Sequence, residues 1–266
     1  MPHAEAQGAR LYYEVHGEGE PLLLIPGFGS SIPVYWANLP ELSRHFRVIA
    51  FDPRGAGRSD APAGDYTMEV FADDAVAVLD AADEASAHVF GTSFGGMVAQ
   101  HMALLHPQRV RRLVLGCTTP GGTRHVMPPM ESVARYLAAG GIADAAEAVR
   151  SIYFTHYSDE YASAHDAEIV ARSLENEWLR ASPEGSAAQL AAVQGHDTYD
   201  RLHAIAHPAL VAHGGEDGLV PVENARLLAE AMSNARLLVY PKGRHIFFAE
   251  CAEALNAEIV AFLSGC

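Results

Sequence analysis

The sequence predicts an α/β protein with a mostly parallel central sheet, helices on both faces and an inserted helical segment. Three observations carry this. Short apolar runs end at Gly, Pro or Asp. Helical patterns lie between these runs. One long stretch contains helical patterns and no strand. The 266 residues suit one such domain with an insertion. Hydrophobic residues make up 49% of the chain and charged ones 19%, which supplies a substantial core and argues against global disorder.

Residues 10–16 are rich in strand formers and precede the breakers Gly17, Gly19 and Pro21. Apolar runs follow at 22–25, 46–51, 88–90, 113–115, 209–212 and 237–240. Such runs are expected of strands buried on both faces of a parallel sheet. Phe71, Ala75, Val78, Leu79 and Ala82 share one helical face, and Asp73, Asp74 and Asp80 lie off it. Val222, Ala225, Ala229 and Met232 repeat the spacing, as do Phe248, Leu255, Ile259, Phe262 and Leu263. Alternating strands and helices place helices on both faces of the sheet. Residues 120–205 break this rhythm. The expected domains are therefore a core of 1–119 and 206–266 and a helical insertion of 120–205.

The net charge is −15. Such a chain repels phosphate backbones and anionic membrane surfaces, so nucleic acid and membrane are not expected partners. Cys117, Cys251 and Cys266 fit no metal or redox spacing and are expected to be free thiols. The first residues lack a basic and then apolar leader, and no apolar run approaches the ~20 residues of a membrane span. A cytoplasmic protein is expected. Nothing in the sequence sets its oligomeric state.

The strongest local signal is Gly91-Thr92-Ser93-Phe94-Gly95-Gly96, after the apolar pair Val89-Phe90 and before a helical stretch. A strand, a one-residue corner and a helix make a nucleophile elbow with Ser93 at the corner. Residues two before and two after the serine come close together, which Gly91 and Gly95 permit. The helix N-terminus then favours negative charge at the corner.

A serine nucleophile needs a base, and the base needs an orienting carboxylate. Position selects among fourteen histidines, because sites in open α/β sheets lie beyond the carboxyl ends of the strands. His245 follows the run 237–240. Asp217 follows the run 209–212. The order Ser93, Asp217, His245 is the one this kind of elbow requires. Glu216 is expected to face solvent, and His88, His101, His106 and His213 to be structural. After 113–115 the chain reads Gly116-Cys117-Thr118-Thr119, with no rival carboxylate. The tetrahedral oxyanion needs fixed donors. The backbone N–H groups of Phe94 and of Phe28, in Pro26-Gly27-Phe28-Gly29, are the candidates.

These motifs, with Asp52-Pro53-Arg54-Gly55-Ala56-Gly57-Arg58-Ser59, resemble the α/β-hydrolase superfamily over nearly the whole chain. The resemblance is closest to compact bacterial esterases, 3-oxoadipate enol-lactonases and cofactor-free haloperoxidases. It departs at Pro26, where many relatives have His, and at Arg244, where many have Gly. It implies an α/β-hydrolase fold, a structural role for Arg54 and Ser59, and a helical cap over 120–205 that shapes the pocket. Trp178 either lines that pocket or packs within the cap. Val220 and Ile246, beside the acid and the base, are further candidates to contact substrate. The implied reaction is hydrolysis of a small-molecule ester or lactone through an acyl-enzyme, with no metal or cofactor. Perhydrolysis and C–C bond hydrolysis are alternatives on the same triad, and a ligand receptor with slow turnover is a further one.

Overall fold

The computed structural model describes residues 2–64 and 66–265; Cys266 lies outside them. The strands are β1 (His3–Ala6), β2 (Ala9–His16), β3 (Pro21–Ile25), β4 (Arg47–Phe51), β5 (Ala87–Thr92), β6 (Val110–Gly116), β7 (Ala209–Gly214) and β8 (Ala235–Tyr240). They form one sheet in the order β1-β2-β4-β3-β5-β6-β7-β8. The strands from β3 to β8 pair in parallel, while β1 and β2 add an antiparallel edge. β1 is too short and alternating to stand out in the sequence.

Alternation along each strand divides the core. Leu23, Ile25, Ile49, Phe51, Val89, Leu113 and Val211 pack on one face with Phe71, Val78, Leu79 and Met102. Leu22, Leu24, Val48, Phe90, Val114 and Leu210 pack on the other with Tyr35, Phe247, Leu255 and Ile259. The run at 237–240 departs from the expectation of two buried faces. β8 is the sheet edge and only partly buried: it pairs with β7 on one side alone, although α9 packs against it.

The helices are α1 (Leu39–Leu42), α2 (Met68–Ala81), α3 (Phe94–Leu105), α4 (Met130–Ala138), α5 (Ala145–Ser151), α6 (Tyr153–His156), α7 (Asp159–Glu175), α8 (Pro183–Gln194), α9 (Glu223–Ala231), α10 (Phe247–Glu250) and α11 (Ala252–Leu263). The C-terminal helical pattern is broken at Cys251, whose backbone leaves the helical region between α10 and α11. Helices α4 to α8 lie between β6 and β7. Their own core is small, Val149, Ile169 and Val170 with flanking aromatics, so this segment depends on its contacts with the sheet domain.

The turn after β4 fixes the carboxyl edge of the sheet. Arg54 makes a bidentate, buried pair with Asp74 of α2, at 2.6 and 2.5 Å. Burial alone would lower the Arg54 pKa, but Asp74 raises it. Asp52 accepts from Ile32 N at 2.9 Å and from Arg58 Nε at 2.8 Å. Gly57 has φ +60°, and a Cβ there would collide with the Asp52 carboxylate. This turn is structural, as the sequence implies.

A buried polar chain joins the inserted segment to α3. Gln100 Nε2 donates to Thr119 O at 3.0 Å, and Thr198 Oγ1 donates to Gln100 Oε1 at 2.6 Å. His196 Nε2 lies 3.0 Å from Thr119 O and must donate to it, which leaves Nδ1 to accept from His101 Nε2 at 3.2 Å. Burial pushes the His101 and His196 pKa values down to about 4.

The unfolded chain binds these protons near pH 6.5 and the folded chain only near 4, so stability drains away as pH falls through that window. Thermal unfolding midpoints measured from pH 7 to pH 4 should therefore decline steeply. His196→Gln should remove about 1.4 kcal/mol per pH unit of that slope at its steepest.

Candidate active site

Strand order places the site. The chain leaves β3 for β4 on one side and later returns to β5 on the other. This reversal opens a crevice beyond the carboxyl ends of β3 and β5. Ser93 stands at its rim, between β5 and α3, with φ 53° and ψ −118°. That backbone conformation is strained for any L side chain. Close packing over-determines it. A Cβ on Gly91 would strike the Gly95 carbonyl, and one on Gly95 would strike the Ile25 carbonyl. Ser93 N donates to Gly116 O at 2.7 Å, and Thr118 Oγ1 donates to Ser93 O at 2.7 Å.

His245 Nε2 lies 3.1 Å from Ser93 Oγ, and His245 Nδ1 lies 2.8 Å from Asp217 Oδ2. Asp217 Oδ1 accepts from Leu219 N and Val220 N at 2.8 and 2.9 Å. Burial would raise the Asp217 pKa, but His245 and His213 outweigh it and hold the carboxyl far below the ordinary range. An ionised Asp217 keeps the hydrogen of His245 on Nδ1, so Nε2 is free to accept. Glu216 is exposed, as expected.

His213 has a place beyond packing. It is fully buried, its Nε2 donates to Val220 O at 2.8 Å, and the same nitrogen lies 3.4 Å from Asp217 Oδ2. It thus braces both the carboxylate and the loop whose N–H groups serve that carboxylate.

The backbone N–H groups of Phe94 and Phe28 have no acceptor among the described residues. Both flank the serine, since Gly27 packs directly against Ser93. The loop after β3 is held from below by Tyr35, whose hydroxyl donates to Ile25 O at 2.7 Å. It is held from above by Gln189 of α8, which the sequence did not single out. Gln189 is fully buried, accepts from Gly29 N at 2.8 Å and donates to Arg54 O at 3.0 Å.

A cavity of about 210 Å³ opens over Ser93 and His245. Val220, Ile246 and Phe28 line it. Trp178 does not: it is 69% exposed and belongs neither to the cavity wall nor to a packed core. The short 3₁₀ turn Glu177–Leu179 directs Leu179 inward and its neighbour outward. His156, at the end of α6, lines the cavity instead. Its ring centre is 6.1 Å from that of His245 and 5.8 Å from that of Tyr136. Nδ1 lies 2.8 Å from Thr155 Oγ1 and 3.1 Å from Ile152 O. Burial, helped by His245, pushes its pKa down to about 4. Irregular helical sequence gives no signal for this placement. Among the described residues no group of three or more His, Cys, Asp or Glu side chains is arranged to hold a metal ion.

An elbow serine within reach of an imidazole, at the carboxyl edge of such a sheet, is the arrangement of α/β hydrolases. The α/β hydrolase fold family profile matches residues 20–251, and the chain belongs to this family. It is 33% identical to RutD of Caulobacter sp. (strain K31), to which carbamate hydrolysis is ascribed, with 96% of each chain covered. It is 32% identical to the 2-hydroxymuconate semialdehyde hydrolase of Pseudomonas sp. (strain CF600), covering 90% of this chain and 85% of that one. The crystal structure of the enol-lactonase from Burkholderia xenovorans LB400 superposes with a TM-score of 0.85 at 26% identity, over 99% of this chain and 100% of that one. No helix among the described residues is long and apolar enough to cross a membrane.

Gly95→Ala should destabilise the fold by about 3 kcal/mol or more, because the clash is with backbone rather than a movable side chain. Urea unfolding measures this. Gln189→Leu should leave the chain folded by circular dichroism but lower turnover about tenfold or more, by leaving Gly29 N and the buried Arg54 O without their partner and freeing the loop after β3.

Proposed function

We propose that the chain is a serine hydrolase that cleaves a carboxylic ester or lactone of a small molecule through an acyl-enzyme on Ser93. The observation that carries this reading is the continuous chain of contacts Ser93 Oγ–His245–Asp217, at 3.1 and 2.8 Å, beside two unpaired backbone donors. In this reading residues 1–119 and 206–266 form the catalytic core, and 120–205 form a cap that bounds the pocket. Free thiols at Cys117 and Cys251 support a cytoplasmic setting.

His245 takes the Ser93 proton as Oγ attacks the carbonyl. Asp217 holds the imidazole tautomer and stabilises the imidazolium that forms. The oxyanion moves toward the N–H groups of Phe28 and Phe94, at the start of α3, where the helix dipole also favours negative charge. His245 then protonates the leaving alkoxide. Water, deprotonated by the same imidazole, releases the acid and restores Ser93. Val220 and Ile246 supply apolar walls for the substrate.

Initial rates on p-nitrophenyl esters and small lactones test the reading. Ser93→Ala and His245→Ala should each lower kcat/KM by about 10³-fold or more, and Asp217→Asn by about 10³- to 10⁴-fold. Turnover that survives Ser93→Ala would refute the acyl-enzyme. Carbamate turnover without ester turnover would reassign the substrate and keep the triad.

A further inference from the structure

His156 is a titratable side chain in the cavity wall that the mechanism does not use. It belongs to the inserted segment, yet its place is fixed against the base. Ile246 N donates to His156 O at 2.9 Å, and His245 N donates to Thr155 O at 3.0 Å. The His156 ring stacks on Tyr136, and no other ring among the described residues packs against the ring of His245.

The two ring nitrogens have different surroundings. Nε2 has no partner among the described residues, and protein does not seal it off. It therefore opens on the space before the ring, which is the cavity over Ser93 and a second cavity of about 180 Å³ that shares this wall. Nδ1 instead faces Thr155, whose single hydroxyl hydrogen has two acceptors in reach, Ile152 O at 2.8 Å and His156 Nδ1 at 2.8 Å. Ile152 O already accepts from Thr155 N at 3.0 Å and His156 N at 3.3 Å, which occupies its two lone pairs. The hydroxyl hydrogen is better used on Nδ1, and that places the hydrogen of the neutral imidazole on Nε2. With its pKa pushed down to about 4, the ring is neutral at neutral pH.

We propose that His156 Nε2–H donates a hydrogen bond to the leaving-group oxygen as its bond to the acyl carbon breaks, so that the site turns over esters of unactivated alcohols. This rests on the reading of Ser93 as nucleophile. The leaving oxygen must come to His245 Nε2 to take its proton, and His156 is the ring beside that base. The electron pair of the broken C–O bond stays on the oxygen, and the proton comes from His245. The hydrogen of His156 remains on its own nitrogen. A fixed donor of this kind is worth more as more charge gathers on the oxygen, hence most for the most basic leaving groups.

The test compares kcat/KM for ethyl acetate and p-nitrophenyl acetate, which form the same acyl-enzyme and differ in the basicity of the leaving oxygen. His156→Phe should lower the ethyl to p-nitrophenyl ratio about tenfold or more, and His156→Gln, which keeps an N–H donor, should restore part of it. Thr155→Val leaves the His156 ring and its packing in place but removes the hydroxyl, and should lower the ratio as well. Equal losses on both esters in His156→Phe, as a packing role would give, or a ratio that Thr155→Val does not alter, would overturn the proposal. Nitrogen NMR of the imidazoles at neutral pH, with His156→Phe for assignment, should place the His156 hydrogen on Nε2 in the wild type and shift it toward Nδ1 in Thr155→Val. A hydrogen on Nδ1 in the wild type would again overturn the proposal. This measurement needs no turnover, so it separates a failure of His156 as donor from a failure of Ser93 as nucleophile.

Discussion

The site depends on one close approach of two backbones, Gly95 at the start of α3 against the Ile25 carbonyl at the end of β3. A side chain at Gly95 would part them. The contact sets α3 under the crevice and brings the loop after β3 alongside the serine. It also forces the chain to reverse within a single residue, which accounts for the strained Ser93 backbone. Glycine at 91 and 95 is therefore a condition for the Phe94 and Phe28 backbone to lie on either side of Ser93.

Polar order around the site follows from burial. Asp217, His213 and His245 all lie within the protein, where an unmatched charge or donor is costly. Each has a defined partner: Asp217 accepts from two backbone N–H groups and His245, and His213 donates to the same loop's carbonyl. The carboxylate is held ionised by this set, and its tautomeric control of His245 is a consequence. The buried pair Arg54–Asp74 does similar work at a distance from the chemistry, locking the turn after β4 onto α2.

The sheet was legible because strands with two buried faces leave uninterrupted apolar runs, as at 22–25 and 209–212. Ser93, Asp217 and His245 could be selected because each follows such a run, and the structure brings the three side chains into contact. Elements that obey weaker rules were less visible. β1 is four residues of mixed polarity, and β8 showed as the run 237–240, but its edge position and partial burial did not. Within 120–205 no periodicity tells which residues face the cleft. There Trp178, the conspicuous aromatic, turns outward, while His156 lines the cavity over Ser93 and Gln189 holds the loop after β3, through turns and caps that hydrophobic pattern does not encode.

The inserted segment is sewn to the loops on both sides of the crevice. His245 N donates to Thr155 O at 3.0 Å and Ile246 N to His156 O at 2.9 Å on one side, while Ala181 N and Gln189 grip the loop after β3 on the other. A segment joined in this way is not a hinged door. Grafting it whole from a relative would replace the sutures along with the pocket lining, and would disturb the His245 loop and the loop after β3 together. Directed changes of specificity in this scaffold therefore belong on α4, none of whose residues is buried, with the stitched stretches 152–156 and 179–189 left in place.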